Sequence, residues 1–153
     1  ADDQMSAGLI ADGVHVHPAM LTLAWRTLGD KRLFLVSDGM PTLGSHITQF
    51  VLDGQTIQRQ GNSLTNAQGT LAGAHLPMDQ AVLNMVNLAG VHLAAAFRMA
   101  STTPARVLGL GGELGHIACG YRAGLTLLGE DLRAQAVMVD GTLFSVSDDP
   151  TLG

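Results

Sequence analysis

Two short apolar runs dominate what this chain can become. Residues 8–16 and residues 33–37 each begin apolar and then break off in polar, ionisable or Gly/Pro residues. The first closes on Asp12-Gly13-Val14-His15-Val16-His17-Pro18, the second on Ser37-Asp38-Gly39-Met40-Pro41. A helical pattern over 19–28, with Pro18 at its start and Gly29-Asp30 at its stop, separates them. This order predicts a βαβ unit whose reactive side chains stand at the carboxyl ends of parallel strands. In α/β folds that edge is where chemistry sits. His15 and Asp38 are therefore the first candidates.

Composition narrows the partners. The 153 residues suffice for one ordinary domain with a real core. Charged residues are only 14%, so much of the surface is uncharged and suited to burial against something else. The net charge of −5 and only 8 scattered Lys and Arg argue against nucleic acid, which requires clustered positive charge. Cys119 stands alone, which rules out an internal disulfide or a multi-cysteine metal site and fits a reducing cytoplasm. No stretch approaches the roughly 20 apolar residues of a membrane span. The opening Ala1-Asp2-Asp3-Gln4-Met5-Ser6 has no basic start of a signal peptide and reads as a chain entering mid-fold.

Past the second run the material changes. Asp53-Gly54 between two short apolar stretches predicts a hairpin over 50–59. Further turns fall at Gln60-Gly61-Asn62 and Asn66-Ala67-Gln68-Gly69. Apolar spacing predicts helices over 78–89 and 93–100, and Ser101-Thr102-Thr103-Pro104 opens another short one. Residues 114–128 and 134–144 read as short strands, with turns at Gly120, Gly124 and Asp140-Gly141. Hairpins and tail together could form a small β domain. Two parallel strands alone cannot bury both faces of a sheet, so the pattern is incomplete.

Asp38 follows four largely apolar residues and precedes a glycine that lets the chain turn. A carboxylate there can act as a general base or touch a metal-bound water; it can equally be a loop or cap Asp bonded to backbone amides. His15 ends the neighbouring strand, where parallel pairing would bring both ends into one pocket about 4.8 Å apart. His17 alternates onto the same face, and a His-x-His pair on a barrel strand can bind zinc, though no third ligand is well placed. His46, His75, His92 and His116 lack ligand spacing. Gly109-Leu110-Gly111-Gly112 follows a helix, which excludes a dinucleotide loop. Gly69-Thr70-Leu71-Ala72-Gly73 could offer amides to an anion but is more often a plain turn. Met78, Met85 and Met99 fit a core, and Cys119 has no partner histidine.

Five segments together carry a resemblance: Gly8-Leu9-Ile10-Ala11-Asp12-Gly13-Val14-His15, Leu35-Val36-Ser37-Asp38-Gly39-Met40-Pro41, Gly69-Thr70-Leu71-Ala72-Gly73, Arg98-Met99-Ala100-Ser101-Thr102-Thr103-Pro104-Ala105-Arg106, and Leu114-Gly115-His116-Ile117-Ala118-Cys119-Gly120-Tyr121-Arg122-Ala123. Nearly the whole chain resembles the C-terminal portion of the N-acetylglucosamine-6-phosphate deacetylase family, within the amidohydrolase superfamily. The first two segments are the more specific; the last two are shared more widely among amidohydrolases.

The resemblance implies an α/β fold, the C-terminal fragment of a metal-dependent (β/α)8 TIM barrel plus part of a small β-sandwich. Barrel strands seven and eight with their helix would occupy 1–48, and a hairpin segment of the sandwich or a barrel-edge insertion 49–68. A loop and the C-terminal barrel helices would occupy 69–112, and the sandwich tail 113–153. Asp38 then matches the catalytic aspartate. His15 matches a substrate-binding histidine, with Asp12, Gly13 and Val14 in its contact segment. Leu71, Ala72 and Gly73 match a second substrate loop.

The implied reaction is hydrolysis of the N-acetyl group of N-acetylglucosamine 6-phosphate, in the cytoplasm, by a homodimer. A divalent metal, zinc or iron, would polarise the amide and hold the attacking water. Its family ligands, a Glu and two His, lie on earlier strands absent here, so the chain supplies no metal ligand of its own beyond Asp38 through a bound water. Ser37, Gly39 and Gly124 depart from the usual Thr, Ala and Asp. The alternatives are a non-catalytic scaffold that keeps the half-barrel, or an amidohydrolase acting on another amide or cyclic amide.

Overall fold

The computed structural model describes residues 5–145; the acidic 1–4 stretch and the end of the 113–153 tail lie outside the described residues. Strand β1 (Ala7–Leu9) pairs in parallel with β2 (Leu33–Leu35), and helix α1 (Pro18–Arg32) joins them. The βαβ expectation therefore holds. Both strands are shorter than the apolar runs implied. Residues 10–16 leave the extended path because the Asp12 carboxylate accepts from the amides of Val14 and His15, each at 2.9 Å, and Gly13 takes φ +76°. That local turn competes successfully with strand pairing. Gly29 interrupts α1 at φ 63°, but helical turns resume through Arg32, three residues beyond the expected stop.

The core lies between this parallel pair and three helices. Leu21 of α1, Leu33 and Leu35 of β2, and Leu76 pack against Val82 and Met85 of α2 (Met78–Ala89) and Met99 of α3 (Leu93–Ala100). Both helices fall where the 3.6-residue spacing placed them. Left-handed Gly90, φ 67°, ends α2, and the amides of Gly90 and Val91 satisfy the carbonyls of Val86 and Met85. Truncating Met85 to Ala would cost roughly 2–5 kcal/mol, since the side chain is fully buried. Helix α4 (Thr102–Val107) follows directly.

Two antiparallel sheets flank this unit. Strands β3 (Gln49–Leu52), β4 (Gln55–Gln60), β5 (Ser63–Thr65) and β6 (Leu71–Ala74) run in sequence order as one sheet. Asp53 and Gly54 both have positive φ, 49° and 76°, the primed turn that matches strand twist. Strands β7 (Leu125–Leu128), β8 (Ala134–Val139) and β9 (Thr142–Ser145) form the other sheet, with Asp140-Gly141 at its second turn. The strand read over 114–128 exists only from Leu125 onward. Gly115 and Gly120, at φ 90° and 89°, break the earlier part into turns. The two sheets share no strand ladder. Asp79 of α2 anchors β8 by accepting from the Ala134 amide at 3.2 Å.

Candidate active site

The register of β1 and β2 builds one edge. Leu9 pairs with Leu35, and the Val36 amide donates to the Leu9 carbonyl at 3.1 Å. Asp12 and Asp38 each stand three residues past that pair, so both turns open at the same carboxyl end. This is the edge the apolar runs predicted.

Asp12 and His15 are locked together. Oδ2 of Asp12 lies 2.6 Å from Nδ1 of His15, while Oδ1 takes the two backbone amides. The Asp12 side chain is 2% exposed and that of His15 18%. Burial would raise the Asp12 carboxyl, but the His15 bond and the two amides outweigh it and hold the pKa below the usual value. An ionised carboxylate has no proton to give, so Nδ1–H of His15 is the donor, and in the neutral ring that tautomer makes Nε2 the acceptor. His17 does not share this arrangement. Since 12–16 is a turn, the strand alternation that paired it with His15 is absent. His17 instead caps α1, its Nδ1 accepting from the Ala19 amide at 3.2 Å. Val14 is exposed, and Gly13 rests 3.6 Å (from an added Cβ) from Leu88 of α2.

Asp38 is exposed and sits at φ 48°, a left-handed backbone that Asp tolerates better than most residues. The end of β6 templates it. The Ala74 amide donates to the Asp38 carbonyl at 2.8 Å, and the Met40 amide donates to the Ala74 carbonyl at 3.2 Å. Gly73, at φ 84°, allows this approach: a Cβ there would meet Met40 Cγ at 2.3 Å and the Asp38 carbonyl at 3.3 Å. The structure thus joins the Leu71–Ala72–Gly73 segment to Asp38, with Leu71 exposed and Ala72 half-buried. Sequence spacing did not single out Thr42 and His75. Thr42 is fully buried, and its Oγ1 lies 3.0 Å from Nδ1 of His75. Burial first, then the charge of Arg59, push the His75 imidazole below the ordinary histidine value. The two residues are 33 positions apart, and only the fold joins them.

Among the described residues, no three His, Cys, Asp or Glu side chains converge to hold a metal ion. The donor set of the described residues therefore does not by itself fit a divalent metal. An open cleft of about 560 Å³ lies at the other end of β2, lined by Leu28, Gly29, Asp30, Lys31, Arg32 and Arg106. It is a fastened corner: Arg98 pairs with Asp30, and Thr103 and Arg106 donate to the carbonyls of Asp30 and Lys31. No helix among the described residues is long and apolar enough to cross a membrane.

The chain as a whole is similar to proteins of known structure and to curated relatives. The crystal structure of N-acetylglucosamine-6-phosphate deacetylase from Pasteurella multocida superposes with a TM-score of 0.88 at 31% identity, over 94% of this chain and 38% of that one. N-acetylgalactosamine-6-phosphate deacetylase of Escherichia coli O157:H7 is 42% identical over 137 residues, which are 90% of this chain and 36% of its own length. A protein of Escherichia coli (strain K12) is also 42% identical over 137 residues, and 81% of its length is covered. The chain thus spans little more than a third of the length of most relatives it matches. The pattern of the amidohydrolase family matches residues 3–144, and the chain belongs to that family.

Proposed function

We propose that the protein carrying this chain hydrolyses the N-acetyl group of an N-acetylhexosamine 6-phosphate, releasing acetate and the free amino sugar phosphate. N-acetylglucosamine 6-phosphate is the substrate the sequence motifs favour. The observation that carries the reading is the shared edge, where Asp38 is exposed on a backbone templated by β6 and His15 is aimed by a buried carboxylate. In this reading the Asp38 carboxylate takes a proton from the attacking water and returns it to the departing amine. His15, held by Asp12, accepts a sugar hydroxyl through Nε2. The 71–73 segment closes the substrate side of the pocket. Asp12, Gly13 and Val14 shape the opposite wall.

We read the parallel pair as the last two strands of a (β/α)8 barrel and the antiparallel strands as parts of its β-sandwich. The remaining strands, and the donors of a zinc or iron ion, would come from the rest of the relatives' length. A cytoplasmic homodimer remains part of this proposal. A second reading has its own support. Identity is 42% to a relative named for N-acetylgalactosamine 6-phosphate, against 31% for the glucosamine-type crystal structure. The two sugars differ only at C4, so ratios of kcat/KM for the two phosphates, measured on the full-length protein, decide between them. Asp38→Asn tests the chemistry. It preserves shape but cannot take the proton, so kcat should fall by about 10²-fold or more with KM little changed. A kcat within a few-fold of the unaltered protein would remove Asp38 from its role.

A further inference from the structure

We propose that Thr42 and His75 act as a positioning pair that fixes the Asp38 loop against the end of β6, and so sets the direction of the Asp38 carboxylate. This rests on the reading of Asp38 as the acid–base group. Asp38 occupies a left-handed conformation, φ 48°, that a free loop would not keep without support. Backbone bonds supply part of that support: Ala74 N–H to the Asp38 carbonyl, Met40 N–H to the Ala74 carbonyl, and a bridge between Gly39 and Ala74. They stop at Met40. The chain then turns, the Leu43 amide donating to the Met40 carbonyl at 2.8 Å. Thr42 lies inside that turn.

Thr42 is one of two buried polar residues in the described core, at 0% exposure, and its hydroxyl spends its bond on His75. His75 directly follows Ala74. The pair therefore clamps the far side of the same loop to the same strand end, four residues from Asp38. Neutral His75 suits this task, because a hydroxyl–imidazole bond between uncharged groups survives burial at lower cost than an ion would. Without the hydroxyl, Nδ1 of His75 is left half-buried and unpaired, and the turn over 40–44 loses a side-chain bond that ties it across 33 residues of sequence. Misplacing an acid–base group by about 1 Å can cost up to roughly 10²-fold in rate, which is the lever the pair would control.

The test uses the full-length protein. Thr42→Val keeps the shape and removes the hydroxyl. It should lower kcat by between about tenfold and a hundredfold, with KM within about threefold. Thr42→Ser, which restores the hydroxyl, should recover most of kcat. His75→Asn, whose amide can reach the same hydroxyl, should lose less than His75→Phe. Hydrogen exchange at the Ala74 and Met40 amides should quicken in Thr42→Val and not in Thr42→Ser. If Thr42→Val lowers the melting temperature while kcat stays within threefold and Asp38→Asn is inactive, the pair is structural only and the proposal falls. Should Thr42→Val fail to fold, Thr42→Ser and the His75 variants decide by the same kcat ordering and exchange rates. Turnover retained by Asp38→Asn would instead sink the Asp38 reading itself, a result separable from any Thr42 measurement.

Discussion

Asp12 Oδ2 stands 2.6 Å from His15 Nδ1, and the same carboxylate takes the amides of Val14 and His15 on its other oxygen. One buried side chain therefore shapes the turn and fixes the tautomer of the ring beside it. Asn at position 12 could still accept the two amides. Its Nδ2–H would face Nδ1 of His15, so the ring proton would move to Nε2. Asp12→Asn in the full-length protein should thus raise KM for the sugar phosphate by roughly twofold to tenfold, from a lost neutral hydrogen bond worth about 0.5–1.5 kcal/mol. His15→Ala should do the same. Nitrogen chemical shifts of the His15 ring read the tautomer directly. Unchanged shifts and KM would detach Asp12 from the site.

Two glycines of the same edge should respond unequally to an added methyl. Gly73→Ala combines φ 84° with overlap on Met40 and the Asp38 carbonyl. Backbone strain alone costs on the order of 1–3 kcal/mol, or a fall of several degrees in melting temperature for a chain this size. Gly39 has ordinary φ, and its Cβ would press on Leu43 Cδ2 at 2.8 Å, the free end of a flexible side chain, and would lie at van der Waals distance, 3.4 Å, from Ser37 Oγ. Gly39→Ala should stay within about 0.5 kcal/mol of the unaltered protein. Thermal unfolding of the two variants side by side checks this; equal losses would mean the Gly73 approach is looser than drawn.

Legibility followed the range of the forces involved. Helices at 78–89 and 93–100 were readable because burial of one face repeats every 3.6 residues and Gly90 ends the first. The hairpin at Asp53-Gly54 was readable because few sequences tolerate two positive φ angles in a row. The strand over 8–16 was overdrawn because apolar alternation hides the Asp12 turn, which side-chain capping decides. The same hidden turn made His17 look like a partner of His15. The edge holding Asp38 and His15 was legible from where the apolar runs stopped. The Thr42–His75 bond was not, since nothing local ties residues 33 apart. Why Gly124 stands in place of the usual Asp has no account in the contacts of this structure.

Acid should weaken the fold in two stages, both through protons the native state refuses. His75 is held below its ordinary value by burial and by Arg59. The unfolded chain binds a proton there near pH 6.5 and the folded chain only at lower pH. Stability is then full above about pH 6.5 and declines as pH falls toward the folded value. Asp12 is also held below its ordinary value. Its contribution is present above about pH 4 and is lost as pH drops through the folded pKa. Denaturant unfolding across pH 3–8 should show the first decline vanish in His75→Phe and the second diminish in Asp12→Asn. A His75→Phe profile that still declines between pH 6.5 and 5 would assign that step to another group.

The three-stranded sheet should make this 153-residue chain self-associate when it is prepared alone. Cross-strand partners share a face. Leu125, Met138 and Leu143 are partners, with Leu127 two residues along on the same side. Val137 and Phe144 are partners on the opposite side, with Val139 beside them. Leu127, Leu143, Phe144 and Val139 are 60%, 63%, 57% and 53% exposed. A sheet apolar on both faces cannot satisfy either in water, and contiguous patches of that kind drive association. Ile117 and Leu108, at 89% and 73%, are further exposed apolar side chains, in the loop before β7 and at the end of α4. Sedimentation velocity should show species larger than a monomer that grow with concentration. Leu143→Lys with Phe144→Glu, one charge on each face, should shift the chain toward the monomer. A single monomeric species over a hundredfold concentration range, before any substitution, would show that these side chains are covered within the chain itself.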